Sequence, residues 1–369
     1  MQYSLLSKFQ GALLGAALGD LVGCKIEQQV EQNHNYQKWG EITVSCAKSL
    51  IIKQGFHQEY WQKTNKQWQQ KWSDKSSIEI SKTSNLEPSK IIFPKPDLGK
   101  LEEMVNNKSS NFSHINNDDT KDNLFNPTPT NAVIASLPIS LLYHEDEFKL
   151  QQKLQQWGAV WRNYLEINPA NLAIGYVMAQ ALTEKLDPLT LIPKTINYIG
   201  EQEPLADQLK QVKILINQGA SLEAATVQLS KSAKSLEQQQ LSCEEQQKSH
   251  SWASFIPISL GLYCFLSTPE DLGLAVLRAA RTRWIRETCS IVGALSGAYN
   301  SSVGIPVGWR QTMGLQLLGT TNEVEIMKLA KSLWAVWCGV YNPEKTIHPM
   351  PAVAASNVIR PRLHKTGGS

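Results

Sequence analysis

The sequence predicts an all-α protein, and three observations support that class. Apolar residues recur three and four positions apart along most of the 369-residue chain, which is the spacing of one helix face. Helix boundary signals recur as well: residues 268–271 (Thr-Pro-Glu-Asp) are typical of a helix start, and Gly55 is typical of a helix end. No segment alternates apolar and polar residues in the way that a half-buried strand does.

The composition favours a soluble globular protein. Hydrophobic residues make up 42% of the chain and charged residues 19%, which is an ordinary balance for a packed domain. The formal net charge of +3 is too small to indicate a nucleic-acid or membrane partner, so we expect neither. The six cysteines are scattered, and the seven histidines share no metal-ligand spacing. We therefore expect reduced, buried cysteines, surface histidines and a cytoplasmic location.

A ridge of glycines dominates the first predicted helix, residues 4–23. A glycine stands at every fourth position from Gly11 to Gly23, so the glycines share one helix face. Each costs about 1 kcal/mol of helix stability relative to alanine, so the repeat indicates a surface that another backbone approaches closely. The ridge leads to Asp20 and Glu27. We expect Asp20 to bond to backbone at a helix end, and the ridge marks either a plain packing contact or a functional site.

The remaining elements follow in order and are interrupted once. Further helices are predicted at 41–53, 132–143, 148–164, 171–186, 188–199, 203–218, 221–230, 252–267, 270–281, 288–301, 307–318 and 323–340. The helix at 288–301 carries a second small-residue ridge, Gly293–Ala298. Residues 73–130 are rich in Ser, Asn, Lys, Asp and Pro and predict a disordered insertion. Residues 346–369 predict a flexible tail.

Several segments, in the right order, resemble the ADP-ribosylglycohydrolase family. Phe9–Gly23, with Glu27 beyond it, is similar to the family's opening helix. Glu41–Ile51 is similar to its second helix, and Asn131–Tyr143 to its Asn-x-x-x-x-x-x-x-Pro-x-x-Leu helix. The C-terminal helices of the family are matched by Ile256–Leu266, Pro269–Asp271, Gly293–Tyr299, Gly304–Pro306 and Trp309. The resemblance implies a single all-α domain over residues 1–345, folded as a multi-helix orthogonal bundle.

The resemblance also implies a chemistry that needs two magnesium ions. In the family, a Thr-Asp-Asp-Thr motif, an Asp-x-Asp-Thr motif and a Glu after the first ridge hold the metals, which orient the ribose diol and assist water. Here Gln37–Gly40 and Trp284–Glu287 stand at the two motif positions, and only Glu27 matches. A one-residue shift of the second alignment restores Thr288 but no aspartate. One carboxylate does not hold two magnesium ions against water, so we expect no metal and no cofactor.

Cations and tryptophans replace the missing acids. Lys38, Trp39, Trp284 and Arg286 stand at the four aspartate positions, and residues 278–286 contain four arginines. Arginine binds phosphate groups bidentately, and a tryptophan there either stacks on a base or fills the emptied cleft. The predicted binding site for an ADP-ribose-like or other phosphate-bearing ligand comprises Asp20, Lys38, Trp39, Arg283, Trp284, Arg286 and Glu287. A solvated basic helix end is the alternative.

Two functions remain open from the sequence. The first, which the lost motifs favour, is a family member without metal-dependent hydrolase activity that binds a ligand or a protein partner. The second is an active hydrolase that cleaves an N- or O-glycosidic bond of ADP-ribose, with Glu27 as the catalytic residue. Asn117–Thr120 mimics the missing Thr-Asp-Asp-Thr motif, and a rebuilt magnesium site would combine Asp118 and Asp119 with Glu27. These acids lie within the predicted insertion, where a solvated loop is the alternative.

Overall fold

A computed structural model of the chain describes residues 3–30, 38–61, 63, 129–161, 166–241, 252–312 and 323–340. The described residues are 83% helical and include no strand, which confirms the predicted all-α class. Two predicted segments fall on the remaining residues: the tail at 346–369 lies outside the described part, as does the insertion up to residue 128. Pro129 and Thr130, which were assigned to the insertion, instead begin a buried helix.

The helices, numbered along the chain, are α1 (Leu5–Val30), α2 (Lys38–Lys53), α3 (Pro129–Tyr143), α4 (Glu147–Gly158), α5 (Ile167–Leu182), α6 (Pro188–Ile199), α7 (Pro204–Asn217), α8 (Leu222–Leu241), α9 (Ile256–Ser267), α10 (Leu272–Ala279), α11 (Ile285–Asn300), α12 (Val307–Thr312) and α13 (Glu323–Trp337). Short 3₁₀ turns at Ala159–Trp161, Trp252–Phe255 and Ser302–Gly304 join some of them.

The start of α10 differs from prediction, whereas α2 ends at Lys53 as predicted, with a different residue in the left-handed position. The expected start signal for α10 began at Thr268, but Asp271 is the N-cap and its side chain accepts a hydrogen bond from the backbone N–H of Leu274 at 2.8 Å. Thr268 instead lies at the C-terminal end of α9. Similarly, Gly55 follows α2, yet the left-handed residue there is Gln54 at φ 57°. The N–H of Gly55 donates to the carbonyl of Leu50, which completes a Schellman motif around Gln54.

The two glycine ridges pack against each other at the centre of the fold. α1 and α11 run antiparallel, so that Gly11 lies opposite Gly297 and Gly15 lies opposite Gly293. A β-carbon added to Gly15 would lie 2.0 Å from the carbonyl oxygen of Gly293, and one added to Gly293 would lie 2.0 Å from that of Gly15. Only glycine permits this approach, which explains the repeated cost in helix propensity.

Other helices enclose this pair, so α1 is largely buried. α3, α5, α9 and α10 contact α11, and α13 contacts α1. The stretch Leu5–Cys24 of α1 is long and apolar enough to cross a bilayer by length and composition alone, but 67% of its most apolar window is buried within the fold. Its apolar character follows from its position in the core, where Phe9 and Leu14 are fully buried.

Candidate functional site

The candidate site lies where the glycine contact between α1 and α11 ends. Gly19 faces the carbonyl of Cys289, and a β-carbon added to Gly23 would lie 2.5 Å from the Cα of Arg286. The ridge therefore brings the first turn of α11 directly against α1. Asp20 stands between these two glycines on α1, within reach of the side chain of Arg286.

Arg286 and Asp20 form a bidentate ion pair across the two helices. The Nε of Arg286 donates to Oδ1 of Asp20, and Nη2 donates to Oδ2 at 3.0 Å. The Arg286 side chain is 8% exposed and that of Asp20 is 24% exposed. Both carboxylate oxygens are thus engaged by one guanidinium, which is the strongest common geometry for such a pair.

This pairing differs from the role expected for Asp20. α1 was expected to stop at Gly23, with Asp20 bonding to backbone at the helix end, but α1 continues to Val30. Asp20 therefore lies in the helix interior, where the backbone N–H groups already have partners. Its carboxylate turns to Arg286 on the neighbouring helix instead.

Glu287 adds a second carboxyl beside this pair. It lies in the first turn of α11, next to Arg286 in sequence. Burial raises the pKa of Glu287 above its ordinary value, and the negative charge of Asp20 raises it further. A hydrogen bond from its own backbone N–H and the positive charge of Arg286 act in the opposite direction. The described side chains of the site are thus a fixed cation, a carboxylate bound to it and a carboxyl that retains its proton to a higher pH than usual.

The other predicted site residues of this loop are placed differently from Arg286. Trp284 is partly buried against the hydrophobic core and lies at the N-cap of α11, without a side-chain capping hydrogen bond. Arg281 and Arg283 are exposed on the loop between α10 and α11. Among these arginines, Arg286 is the one that the structure joins to Asp20.

Several predicted residues fall outside the described part of the chain. The backbone of Glu27 lies in α1, seven residues and about two turns beyond Asp20, but its side chain is not described. The same holds for the side chains of Lys38 and Trp39 at the start of α2. Residues 118–119 are not described, so the rebuilt magnesium site stays a prediction.

The described side chains do not fit a centre of two magnesium ions. Arg286 stands at an expected aspartate position, and its guanidinium engages the carboxylate of Asp20. Thr288 would be the motif threonine in the shifted alignment, but it follows Arg286 by two residues and so projects from the opposite side of α11, where it is fully buried. Within the described ranges, no three His, Cys, Asp or Glu side chains come together in a way that could hold a metal.

A second polar site, at the other end of α1, was not predicted from the sequence. Lys8 is 3% exposed, and its Nζ donates to the carbonyl of Ala181 at 3.0 Å and forms an ion pair with Glu184 at 3.1 Å. His144 was expected at the surface but is also 3% exposed, with Nδ1 2.7 Å from the carbonyl of Leu141. Together they line one side of an open groove of about 540 Å³.

The burial of Lys8 and His144 has separate physical causes. The last carbonyls of α5 have no partners within their own helix, and Lys8 binds them as a C-terminal cap. His144 packs edge-on against Phe9, with ring centroids 5.6 Å apart, and lies 5.4 Å from the ring of Trp337. Burial lowers the pKa of His144 to about 4, so its ring is neutral at pH 7.

The family of the protein follows from a comparison with known families. The family model described as ADP-ribosylglycohydrolase matches residues 1–343, nearly the whole chain. The chain therefore belongs to the ADP-ribosylglycohydrolase family, as its glycine ridges and all-α architecture indicated. No curated individual protein matches it.

Proposed function

We propose that this protein is a non-catalytic member of its family, a cytoplasmic binding module for an ADP-ribose-like or other phosphate-bearing ligand. One observation carries the proposal: Arg286, at a position where the family's motif has a metal-binding aspartate, engages both carboxylate oxygens of Asp20. The family's metal-dependent hydrolysis would need that position to attract a cation.

Electrostatics make the replacement difficult to reconcile with a divalent metal. Two unit charges 4 Å apart interact by about 4 kcal/mol at an effective dielectric constant of about 20, and a divalent ion doubles that figure. A magnesium ion at Asp20 would meet this repulsion from Arg286 and would also have to displace its bidentate hydrogen bonds. Without the metal, the ribose diol loses its orienting group and water loses its activation.

The remaining cations of the loop supply the chemistry for an anionic ligand. Arg286 engages Asp20, and we expect Arg281 and Arg283, which are exposed on the same loop, to contact a phosphate. They lie on the loop that leads into the first turn of α11, close in sequence to Arg286. In this proposal the protein retains recognition of the ligand and has lost the reaction.

Isothermal titration with ADP-ribose, with and without magnesium, tests this function together with an assay of ADP-ribose release from an ADP-ribosylated peptide. We expect binding heat that does not depend on magnesium, and no release. Arg283→Asp should weaken binding, whereas Lys149→Asp, an equal charge change at an exposed site on α4, should not. Magnesium-dependent release would instead establish the active hydrolase. An absence of heat would reject the ligand and leave a protein partner as the role of the module.

A further inference from the structure

The charge balance at the end of the α1–α11 contact is unusual for a site that has lost its metal. Among the described side chains, two carboxyl groups, those of Asp20 and Glu287, remain there, and the guanidinium of Arg286 lies between the helices with them. Arginine does not lose its proton in proteins, so Arg286 is a cation at every accessible pH. It compensates the negative charge in the way that a bound metal ion would.

The position of Arg286 is fixed at both ends of its side chain. Its Cα lies so close to Gly23 that a β-carbon on that residue would not fit, so the side chain begins directly against α1. Its guanidinium is held at two points by the carboxylate of Asp20. Rotation of the side chain into solvent would leave Asp20 without its counter-charge. Arg286 is therefore a rigid part of the site.

We infer that Arg286 acts as a built-in cation that replaces the metal, keeping divalent ions out of a site that Asp20 and Glu287 would otherwise offer them. This inference rests on the proposed loss of the metal centre. The site should therefore bind a divalent cation once the guanidinium is removed. When a carboxylate replaces it, Asp20, Glu287 and the new side chain provide the oxygen ligands that hard divalent cations prefer. One or two carboxylates with bound waters suffice for magnesium or manganese in many proteins.

The test is divalent-cation binding by Arg286→Asp in the full chain. Manganese binding is followed by the loss of the free-ion EPR signal, and magnesium binding by the rise in melting temperature. We expect Arg286→Asp to bind manganese at least about tenfold more tightly than the wild type does. Lys213→Asp is the control, because it makes the same charge change at an exposed position on α7, outside the site, and should resemble the wild type. Adding Asp20→Asn to Arg286→Asp should abolish the gained binding.

A second variant keeps the test decisive if Arg286→Asp does not fold. Arg286→Gln is neutral and leaves Asp20 without a counter-charge, so magnesium should raise its melting temperature more than that of the wild type. Two results would overturn the inference: manganese binding by the wild type that Asp20→Asn removes, or folded variants at position 286 that bind no better than the wild type. Neither readout involves ADP-ribose. Metal-free hydrolysis by the wild type would reject the proposed function while leaving the role of Arg286 intact.

Discussion

Replacing Gly15 by alanine should destabilise the protein, although alanine is the better helix former. The new β-carbon would lie 2.0 Å from the carbonyl oxygen of Gly293 and 2.7 Å from its carbonyl carbon, so backbone rather than a flexible side chain blocks it. The β-carbon would be 1.4 Å short of ordinary contact, which begins at 3.4 Å, so α1 and α11 would have to separate by a similar distance. A gap of about 0.5–1 Å already forfeits about a quarter to a half of the van der Waals energy at a contact, so a larger separation costs more.

The magnitude follows from two opposing effects. Overpacked cores lose about 1–3 kcal/mol, and an immovable backbone obstacle belongs at or above the top of that range. The gain in helix propensity returns about 1 kcal/mol. We therefore expect a net loss of at least about 2 kcal/mol, which for a chain of this length lowers the melting temperature by at least about 3 °C.

Thermal unfolding followed by circular dichroism measures this effect. Gly273→Ala is the control, because its β-carbon would lie 3.3 Å from Cγ of Pro306 and needs only a small adjustment; its melting temperature should stay within about 2 °C of the wild type. Gly15→Ala combined with Gly293→Ala should cost less than the sum of the two single changes, since the helices need to part only once. A melting temperature of Gly15→Ala equal to or above that of the wild type would refute the close-contact argument.

Two further predictions concern the polar site at the other end of α1. Because the pKa of His144 falls from 6.5 to about 4 on folding, the unfolded state binds more protons between these values; stability should fall by about 3 kcal/mol as the pH drops from 6.5 to 4. His144→Gln should remove this loss of stability. The melting temperature of the variant, relative to that of the wild type, should therefore rise as the pH falls from 6.5 to 4. A difference in melting temperature that does not change with pH would contradict the assignment. Lys8→Met should cost about 2–3 kcal/mol in chemical denaturation, because it leaves the carbonyls of Ala181 and Leu182 without their charged donor. The exposed Lys149→Met should cost about 0.5 kcal/mol or less, and equal losses would argue against the capping role.

The helices that were predicted best are those whose ends are set by residues next to the boundary in the sequence. α6 begins at Pro188 after the N-cap Asp187, whose side chain accepts a hydrogen bond from the N–H of Leu189, and its predicted bounds agree with the structure. α7 begins at Pro204, within one residue of its predicted start. In both cases proline at the first helical turn defines the boundary locally, so no tertiary information is needed.

Boundaries that depend on tertiary contact were predicted less well. The first helix was predicted to end at Gly23, before a polar stretch rich in Gln and Asn, but α1 continues to Val30. Residue 23 is glycine because the Cα of Arg286 leaves no room for a β-carbon. His144 was assigned to the surface from its polar type, and its burial depends on Phe9 and Trp337, which come from distant parts of the chain.

The composition of the site was predictable, but its pairing was missed. The sequence identified both Asp20 and Arg286 as site residues without joining them, because nothing local specifies which groups meet across two helices. A signal was nevertheless present: both ridges repeat every four residues, and antiparallel packing of Gly15 on Gly293 sets the register. That register carries Asp20 to the first turn of α11.

The glycine contact between α1 and α11 explains why Asp20 needs the ion pair with Arg286. The close approach of α1 and α11 places Asp20 where solvent reaches it poorly, and a poorly solvated carboxylate without a partner is costly. Either a metal ion or a guanidinium can supply the counter-charge that Asp20 needs, but both cannot occupy the same place beside its carboxylate. A buried pair adds little net stability, while removal of one partner alone costs about 3–5 kcal/mol. With Arg286 in place, a change at position 286 must therefore supply another cation in the same step, which would make the proposed loss of the metal site difficult to reverse.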